Sequence, residues 1–269
     1  MCMKRITSKK SSARPILLPA KIFLGKQKVY FDSKRDAFAL LRKIRREKHV
    51  LRVIEHLERH SQISSKESGF HYVAFQLHSK RSATMRVLEF GSAGRGFLST
   101  VFFDWIVTNL RNERKVNGDV ISIDISSRPK RKFSRLLKRT DFVVTDAFEW
   151  IKNYTGPKFD LIYYDSKDID FAHPGPSMNH HFELFQSSIK FAEKDAILFF
   201  DDTPLNESYA QSKVDYEKIL RAKEEFGFVP GKGRLALEEL QKLNLGRIVF
   251  WEYAAVVKLG EYEDLDPRE

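Results

Sequence analysis

The sequence predicts an α/β protein built on a doubly wound, mostly parallel β-sheet. Five short apolar segments recur along the chain, and each of them ends in or beside an acidic residue. Segments long enough to form helices lie between them, and a glycine-rich turn follows the first of them. Strands that alternate with helices are typical of a parallel sheet covered by helices on both faces.

The first strand and its turn are the most informative part of the chain. Residues 86–90 are mainly apolar and contain Glu89, and a turn with Gly91, Gly94 and Gly96 follows directly. An apolar helical segment then begins at residue 97. Glycines let the backbone approach a ligand closely, and the amides of a helix N-terminus favour negatively charged groups. This order of strand, turn and helix favours nucleotide binding, and the alternative is a plain tight turn.

The later strands carry their acids at the carboxyl end. The four segments span residues 120–124, 142–146, 159–165 and 196–202, and they end at Asp124, Asp146, Asp165 and the pair Asp201 and Asp202. Helical segments of residues 128–138, 147–154 and 181–192 separate them. Ligands of doubly wound sheets bind at the carboxyl ends of the strands. A single acid there would be explained as a helix cap, but five in succession predict a site.

Residues 85–260 resemble the class I S-adenosylmethionine-dependent methyltransferases, most closely the macrocin-type O-methyltransferases and more distantly catechol O-methyltransferase. Leu88-Glu-Phe-Gly91 is similar to the first motif of that family, which holds the methionine part of the cofactor. The resemblance implies a Rossmann-like methyltransferase fold, and S-adenosyl-L-methionine as cofactor. The residues implied to bind it are Glu89, Gly91, Ser92, Gly94 and Gly96, then Asp124 at the ribose, and Asp146, Ala147 and Phe148 at the adenine.

The same resemblance implies that Asp165, Asp201 and Asp202 hold a divalent metal, most simply Mg²⁺. Methyl transfer to oxygen requires a nucleophile that is deprotonated or polarised, and aligned with the methyl group. A hard cation bound by carboxylates holds the substrate oxygens and lowers the pKa of a coordinated hydroxyl. The alternative is a site without metal, in which one acid of the adjacent pair caps the loop that follows.

The segment after the fourth strand supplies the candidates for acid–base chemistry. Lys167 lies one position earlier than the lysine that acts near the substrate in the catechol-like branch. The loop also contains His173, His180 and His181, which are candidates for a general base or a further metal ligand. Each histidine has a plainer alternative as a capping or surface residue.

The positive charge is concentrated at the N-terminus. The formal net charge is +11, and residues 1–52 hold 16 Lys and Arg against three acids. We predict a basic extension over residues 1–60, with a disordered arm to about residue 14, a hairpin at 22–31 and a helix from Ser33 to about His60. We expect residues 61–269 to form the catalytic domain. The extension is either a solvated helix face or a contact for an anionic partner such as RNA, a phosphorylated substrate or an acidic lipid surface.

Composition narrows the class of protein. The chain is 42% apolar, and it has no apolar run long enough to predict a membrane span. One cysteine, Cys2, excludes an intramolecular disulfide and a cysteine metal cluster. We expect a cytoplasmic methyltransferase that modifies a hydroxyl of a small molecule or sugar. The alternatives are an RNA methyltransferase that uses the basic N-terminus, and a cofactor-binding scaffold without turnover.

Overall fold

The computed structural model describes residues 69–80, 82–92, 99–210 and 216–260. The predicted arm, hairpin and helix of the N-terminal extension lie outside these residues, as do Gly94 and Gly96. The division of the chain at residue 60 therefore stays a prediction.

The described residues contain a seven-stranded sheet with the order β3-β2-β1-β4-β5-β7-β6. Its strands are β1 (Thr84–Phe90), β2 (Asn117–Asp124), β3 (Thr140–Val144), β4 (Phe159–Tyr164), β5 (Ala192–Phe200), β6 (Gly246–Trp251) and β7 (Ala255–Leu259). Strands β1 to β5 run parallel, whereas β7 is antiparallel to both β5 and β6. The predicted doubly wound, mostly parallel sheet is confirmed.

Eight α-helices connect and flank the strands in the described part of the chain. They are α1 (Phe70–Ser79), α2 (Ser99–Arg114), α3 (Arg128–Phe133), α4 (Ala147–Asn153), α5 (Gly175–Ser188), α6 (Glu207–Ala210), α7 (Tyr216–Phe226) and α8 (Arg234–Lys242). A 3₁₀ turn, Ile189–Phe191, follows α5. None of these helices has the length and apolar character needed to cross a membrane.

Two helices differ from the bounds that the sequence predicts. Helix α5 begins at Gly175 instead of residue 181, and Pro176 lies in its first turn, where a helix tolerates proline. His180 and His181 are therefore inside the helix and not at its start. Helix α3 ends at Phe133, five residues earlier than predicted.

Helices cover both faces of the sheet, so both faces are buried. The side chains of each central strand alternate between the two faces. Val87, Leu161 and Phe199 point to one face, where they pack with α1 and α2. Leu88 and Ile162 point to the other face, which α4, α5 and α8 cover. Strands of this kind have few polar positions except at their ends. The carboxyl ends are consequently where the polar chemistry of the sheet is found.

The chain reverses its direction of travel across the sheet between β1 and β4. From β1 it moves outward to β2 and β3, and it then returns to place β4 on the other side of β1. Such a switch point leaves a crevice at the carboxyl edge, which is the usual ligand site of doubly wound sheets. Gly91 follows β1 and Asp165 follows β4, so both residues lie at this switch point.

Candidate functional site

The predicted acids meet along one edge because of the register of the strands. Phe90 pairs with Tyr164, which pairs with Phe200, so the residues that follow these three strands are neighbours. The amide of Asp165 donates to the carbonyl of Phe90 at 2.9 Å, and the amide of Asp201 donates to the carbonyl of Tyr164 at 3.2 Å. Asp124 is the last residue of β2 on the other side of β1.

Gly91 allows two loops to touch at the switch point. Its φ of 91° lies in the left-handed region, and a β-carbon there would be 2.1 Å from the carbonyl oxygen of Asp165. Only glycine avoids both the strain and the collision. The sequence predicts that this glycine serves close approach to a ligand. In the structure the close neighbour is the backbone of Asp165, which ties the glycine turn to the acids of β4 and β5.

Glu89 is completely buried beneath the glycine turn. Its carboxyl group accepts hydrogen bonds from the hydroxyls of Ser99, Thr100 and Ser122 at 2.5–2.6 Å. Burial raises the pKa of Glu89 to about 7, although the three hydroxyls oppose the rise. This residue therefore links the start of α2 to β1 and β2, and direct contact of its side chain with the cofactor stays a prediction.

Asp124 holds the two loops that border its strand. One carboxylate oxygen accepts from the amide of Ser92 at 3.0 Å, and the other accepts from the amide of Ser126 at 2.6 Å. The hydroxyl of Ser92 is also 2.8 Å from that of Ser122. The carboxylate is partly exposed and keeps unused lone pairs, which a ribose diol could bond.

Asp146 is the N-cap of α4. One of its oxygens accepts from the amides of Phe148 and Glu149 at 2.9 and 3.2 Å. The ring of Phe148 meets that of His180 edge to face, with their centroids 5.3 Å apart. Ala147 and Phe148 are both partly exposed at this end of the sheet. An aromatic ring beside a capped helix start is compatible with the predicted adenine contact, which stays untested.

The structure brings Asp165, Asp201 and Asp202 together. One carboxylate oxygen from each residue lies within 4.8 Å of the other two. Asp201 accepts from the hydroxyl of Tyr163 at 2.9 Å and from the amide of Asp202 at 2.9 Å. Asp202 has a φ of 41°, which is uncommon for a residue other than glycine. The three acids form what we call the carboxylate cluster.

Lys232 lies inside the carboxylate cluster, and the sequence does not predict its role. Its ammonium group forms ion pairs with Asp165 and Asp202, the second at 2.9 Å, and its side chain is 0% exposed. Burial opposes the charge of Lys232, but the attraction of Asp165, Asp202 and Asp201 outweighs burial and raises its pKa. Burial raises the pKa of the Asp165 carboxyl, and the charge of Lys232 opposes this rise.

The glycines on either side of Lys232 explain how it reaches the cluster. A β-carbon on Gly231 would lie 2.7 Å from the Cα atom of Thr203, and one on Gly233 would lie 2.5 Å from the ring of Phe200. The amide of Lys232 donates to the carbonyl of Asp202 at 3.0 Å. The sequence signal is thus a lysine between two glycines in a mainly apolar stretch, residues 228–237.

The candidates for acid–base chemistry occupy different environments. Lys167 is exposed, and its ammonium donates to the carbonyl of Pro176 at 3.3 Å. The Nε2 atom of His180 is 2.8 Å from the hydroxyl of Ser166. Burial is the main cause that lowers the pKa of His180, and the charge of Lys167 is the second. His173 is exposed beside Asp170, 3.4 Å away.

His181 is the buried member of this group. Burial and then the charge of Lys232 lower its pKa to about 3, so the ring is neutral at physiological pH. Its Nδ1 donates to the carbonyl of Ser177 at 2.9 Å, which leaves Nε2 as a hydrogen-bond acceptor. No partner for Nε2 is found among the described residues.

Three solved structures are similar to this chain. A protein from Corynebacterium glutamicum superposes with a TM-score of 0.50 at 14% identity, over 85% of this chain and 99% of the other. A cofactor-bound protein from MTB gives a TM-score of 0.49 at 14% identity, over 84% and 91%. A proposed caffeoyl-CoA O-methyltransferase from Staphylococcus aureus gives 0.49 at 11% identity, over 84% and 98%. By sequence, no family model and no curated protein matches the chain.

The chain has a Rossmann-like α/β fold. Asp124 at the end of β2 and Asp146 after β3 lie at the same carboxyl edge as the glycine turn, whereas Glu89 of β1 is buried beneath that turn. Their chemistry suits S-adenosyl-L-methionine, because carboxylates can bond its ribose hydroxyls and balance its cationic sulfonium. The described residues that fit these tasks are Gly91, Ser92, Asp124 and Asp146.

A divalent metal fits the carboxylate cluster less well than the cofactor fits the glycine turn. Three oxygens within 4.8 Å are the donor set that Mg²⁺ prefers. However, the ammonium of Lys232 already bonds two of the three acids. A cation of charge +2 beside this ammonium would be repelled by it in a buried setting. The cluster does not accommodate the ammonium and a divalent ion at the same time. Binding of Mg²⁺ stays an untested prediction.

Proposed function

We propose that this protein is an S-adenosylmethionine-dependent methyltransferase that acts on a hydroxyl group of a small molecule. The observation that carries the proposal is the contact between Gly91 and the carbonyl of Asp165. This contact places the glycine turn, where the methyl donor would bind, directly beside the carboxylate cluster, where an acceptor would bind. A bound S-adenosylmethionine would supply an electrophilic methyl group at this junction.

The carboxylate cluster can then hold the acceptor hydroxyl and take its proton. Asp165 is the best candidate for the proton acceptor, because one of its oxygens pairs with Lys232 while the other has the hydroxyl of Tyr163 only at 3.5 Å. A distance of 3.5 Å is too long for a strong hydrogen bond. Burial raises the pKa of Asp165, which makes its carboxylate a better base than an exposed one.

His181 and Lys167 are weaker candidates for the base. A buried ring with a pKa of about 3 accepts a proton with difficulty at neutral pH. The free Nε2 of His181 is better suited to accept a hydrogen bond from a polar group of the acceptor. Lys167 is exposed and donates to the carbonyl of Pro176, so it suits contact with an anionic acceptor at the surface better than proton abstraction inside the cluster.

The experiment that tests the proposal has two parts. Isothermal titration should detect binding of S-adenosylhomocysteine, and a panel of catechols, phenols and sugars should show transfer of a radiolabelled methyl group. Binding of NAD without any response to S-adenosylhomocysteine would overturn the cofactor assignment. Binding of S-adenosylhomocysteine without transfer to any class of acceptor, RNA included, would favour a cofactor-binding scaffold instead.

A second candidate acceptor is RNA, supported by a basic segment near the cofactor acid Asp124. Seven of the twelve residues from 128 to 139 are Lys or Arg, and none is acidic. Lys130, Arg135 and Lys138 in this segment are exposed. Clustered cations of this kind bind phosphates through counterion release. An RNA methyltransferase would use this segment, with or without the basic N-terminal extension, to hold its substrate.

A further inference from the structure

Lys232 holds the position at which a metal-dependent site would hold its cation. Its ammonium group bonds Asp165 and Asp202, which are two of the three predicted metal ligands. The third predicted ligand, Asp201, accepts hydrogen bonds from the hydroxyl of Tyr163 and from the amide of Asp202. Each carboxylate of the cluster therefore already bonds a hydrogen-bond donor of the protein.

The backbone fixes Lys232 in this place. Its amide donates to the carbonyl of Asp202, and the next amide, that of Gly233, donates to the hydroxyl of Thr203 at 2.8 Å. The same hydroxyl donates to the carbonyl of Asp201 at 2.8 Å. The loop that carries the lysine is thus bonded to the loop that carries two of the acids. A side chain anchored in this way differs from a surface lysine that meets an acid by chance.

A divalent ion could enter only if the ammonium left. Mg²⁺ takes its oxygen ligands at about 2.0–2.1 Å in octahedral geometry, whereas an ammonium bonds oxygens at about 2.7–2.9 Å. The two cations would compete for the same oxygens of Asp165 and Asp202. A displaced Lys232, whose side chain is 0% exposed, would leave its charge unpaired in the interior.

We propose that the Lys232 ammonium is the resident cation of the carboxylate cluster, and that the site works without a divalent metal. The statement about catalysis rests on the proposed function, whereas the statement about metal binding does not. A single fixed charge polarises an acceptor hydroxyl less than Mg²⁺ does, so the reaction needs a base. Geometry selects Asp165 for that task, because Lys232 bonds one of its oxygens while the hydroxyl of Tyr163 stays 3.5 Å from the other.

Mn²⁺ is a direct probe of the cluster, because the electron paramagnetic resonance signal of the free ion disappears on binding. Wild-type protein with saturating S-adenosylhomocysteine should bind no Mn²⁺ below millimolar concentration. Lys232→Met removes the ammonium from the three carboxylates of the cluster. This variant should therefore bind one Mn²⁺ at least tenfold more tightly than the wild type. The melting temperature of Lys232→Met should also rise with Mn²⁺, because an ion that binds only the folded state stabilises it.

Lys80→Met is the matched control. Lys80 also bridges two acids, Asp160 and Asp195, at 2.7 and 2.8 Å, but near the amino ends of β4 and β5. Its loss should lower stability without any gain in Mn²⁺ binding. Lys232→Arg, which keeps the charge, should behave as wild type toward Mn²⁺.

Stoichiometric, micromolar binding of Mn²⁺ by the wild type would overturn the proposal. This test needs no variant, so it decides the question even if Lys232→Met does not fold. A folded Lys232→Met that gains no affinity would overturn it as well. Failure of S-adenosylhomocysteine to bind in the same preparations would instead count against the proposed function. If the wild type transfers methyl groups, EDTA should leave its rate unchanged.

Discussion

A β-carbon on Gly91 would lie 2.1 Å from the carbonyl oxygen of Asp165, so the glycine turn and the carboxylate cluster touch through their backbones. The two residues follow adjacent parallel strands, β1 and β4, at the switch point of the sheet. Any side chain at position 91 would push the two loops apart. The geometry of the proposed donor and acceptor subsites would therefore depend on this one glycine.

Gly91→Ala should destabilise the protein by about 3 kcal/mol or more, since it combines backbone strain with a collision against backbone atoms. Urea unfolding measures the loss. Gly227 separates the two causes, because it has a φ of 75° but, among the described residues, no atom beyond its chain neighbours lies within 4 Å of an added β-carbon. Gly227→Ala should therefore cost only the backbone strain, about 1–2 kcal/mol. Gly175→Ala has neither problem and should be nearly neutral. Equal costs for Gly91→Ala and Gly227→Ala would contradict the contact.

Asp124→Ala should weaken binding of S-adenosylhomocysteine by about 1–3 kcal/mol, because it would remove the predicted charge-assisted hydrogen bond to the ribose. It also frees the amides of Ser92 and Ser126, which adds to the loss. Isothermal titration gives the affinities. Asp141→Ala, at an exposed acid on the neighbouring strand β3, is the control and should bind as wild type. Unchanged affinity in Asp124→Ala would remove this residue from the cofactor site.

Asp165→Asn should lower kcat by about 10²–10⁴-fold, the usual contribution of a general base. Affinity for S-adenosylhomocysteine should stay within a factor of about two, because the residue lies on the proposed acceptor side of Gly91. Asp168→Asn is the control, since Asp168 is an exposed acid three residues further along the chain. A folded Asp165→Asn variant that keeps full kcat would show that another group accepts the proton.

Glu89 should make stability depend on pH. Because burial raises its pKa to about 7, the folded protein holds a proton that the unfolded chain releases near pH 4.5. The unfolded state thus binds fewer protons in this interval, and stability falls as the pH rises from about 4.5 to 7. The advantage of wild type over Glu89→Gln should shrink by on the order of 3 kcal/mol between pH 4.5 and 8.

Urea unfolding of both proteins across this pH range checks the effect of Glu89. Glu225→Gln, at an exposed acid in α7, should follow the wild-type profile throughout. Parallel pH profiles for wild type and Glu89→Gln would mean that Glu89 is ionised in the folded protein. The three hydroxyl donors would then outweigh its burial.

The basic segment offers a test of the RNA alternative. Replacing Lys130, Arg135 and Lys138 by Gln should reduce binding of single-stranded RNA and flatten its dependence on salt, if RNA is the acceptor. Deletion of residues 1–14 shows separately whether the N-terminal arm contributes, and neither change should alter affinity for S-adenosylhomocysteine. If the wild type does not bind RNA, or if its RNA binding does not depend on salt, the small-molecule acceptor remains the better proposal.

The sequence alone determined the order and type of the central elements. Hydrophobic runs that end in acids predicted strands β1 to β5 and the edge at which their acids meet, because buried parallel strands tolerate polar residues mainly at their ends. The convergence of Asp165, Asp201 and Asp202 followed from this pattern, since these residues follow strands that became neighbours. Local patterns of this kind need no knowledge of distant contacts.

Only the tertiary structure decided what surrounds those acids. Lys232 is 30 residues beyond Asp202 in the chain, and no local pattern connects a lysine between two glycines with a carboxylate cluster. The position of Glu89 under three hydroxyls and the collision that Gly91 avoids are likewise contacts between separate segments. The sequence could not predict these contacts because burial and charge pairing depend on the whole packed chain. Periodicity and capping, in contrast, depend on residues that are neighbours in sequence.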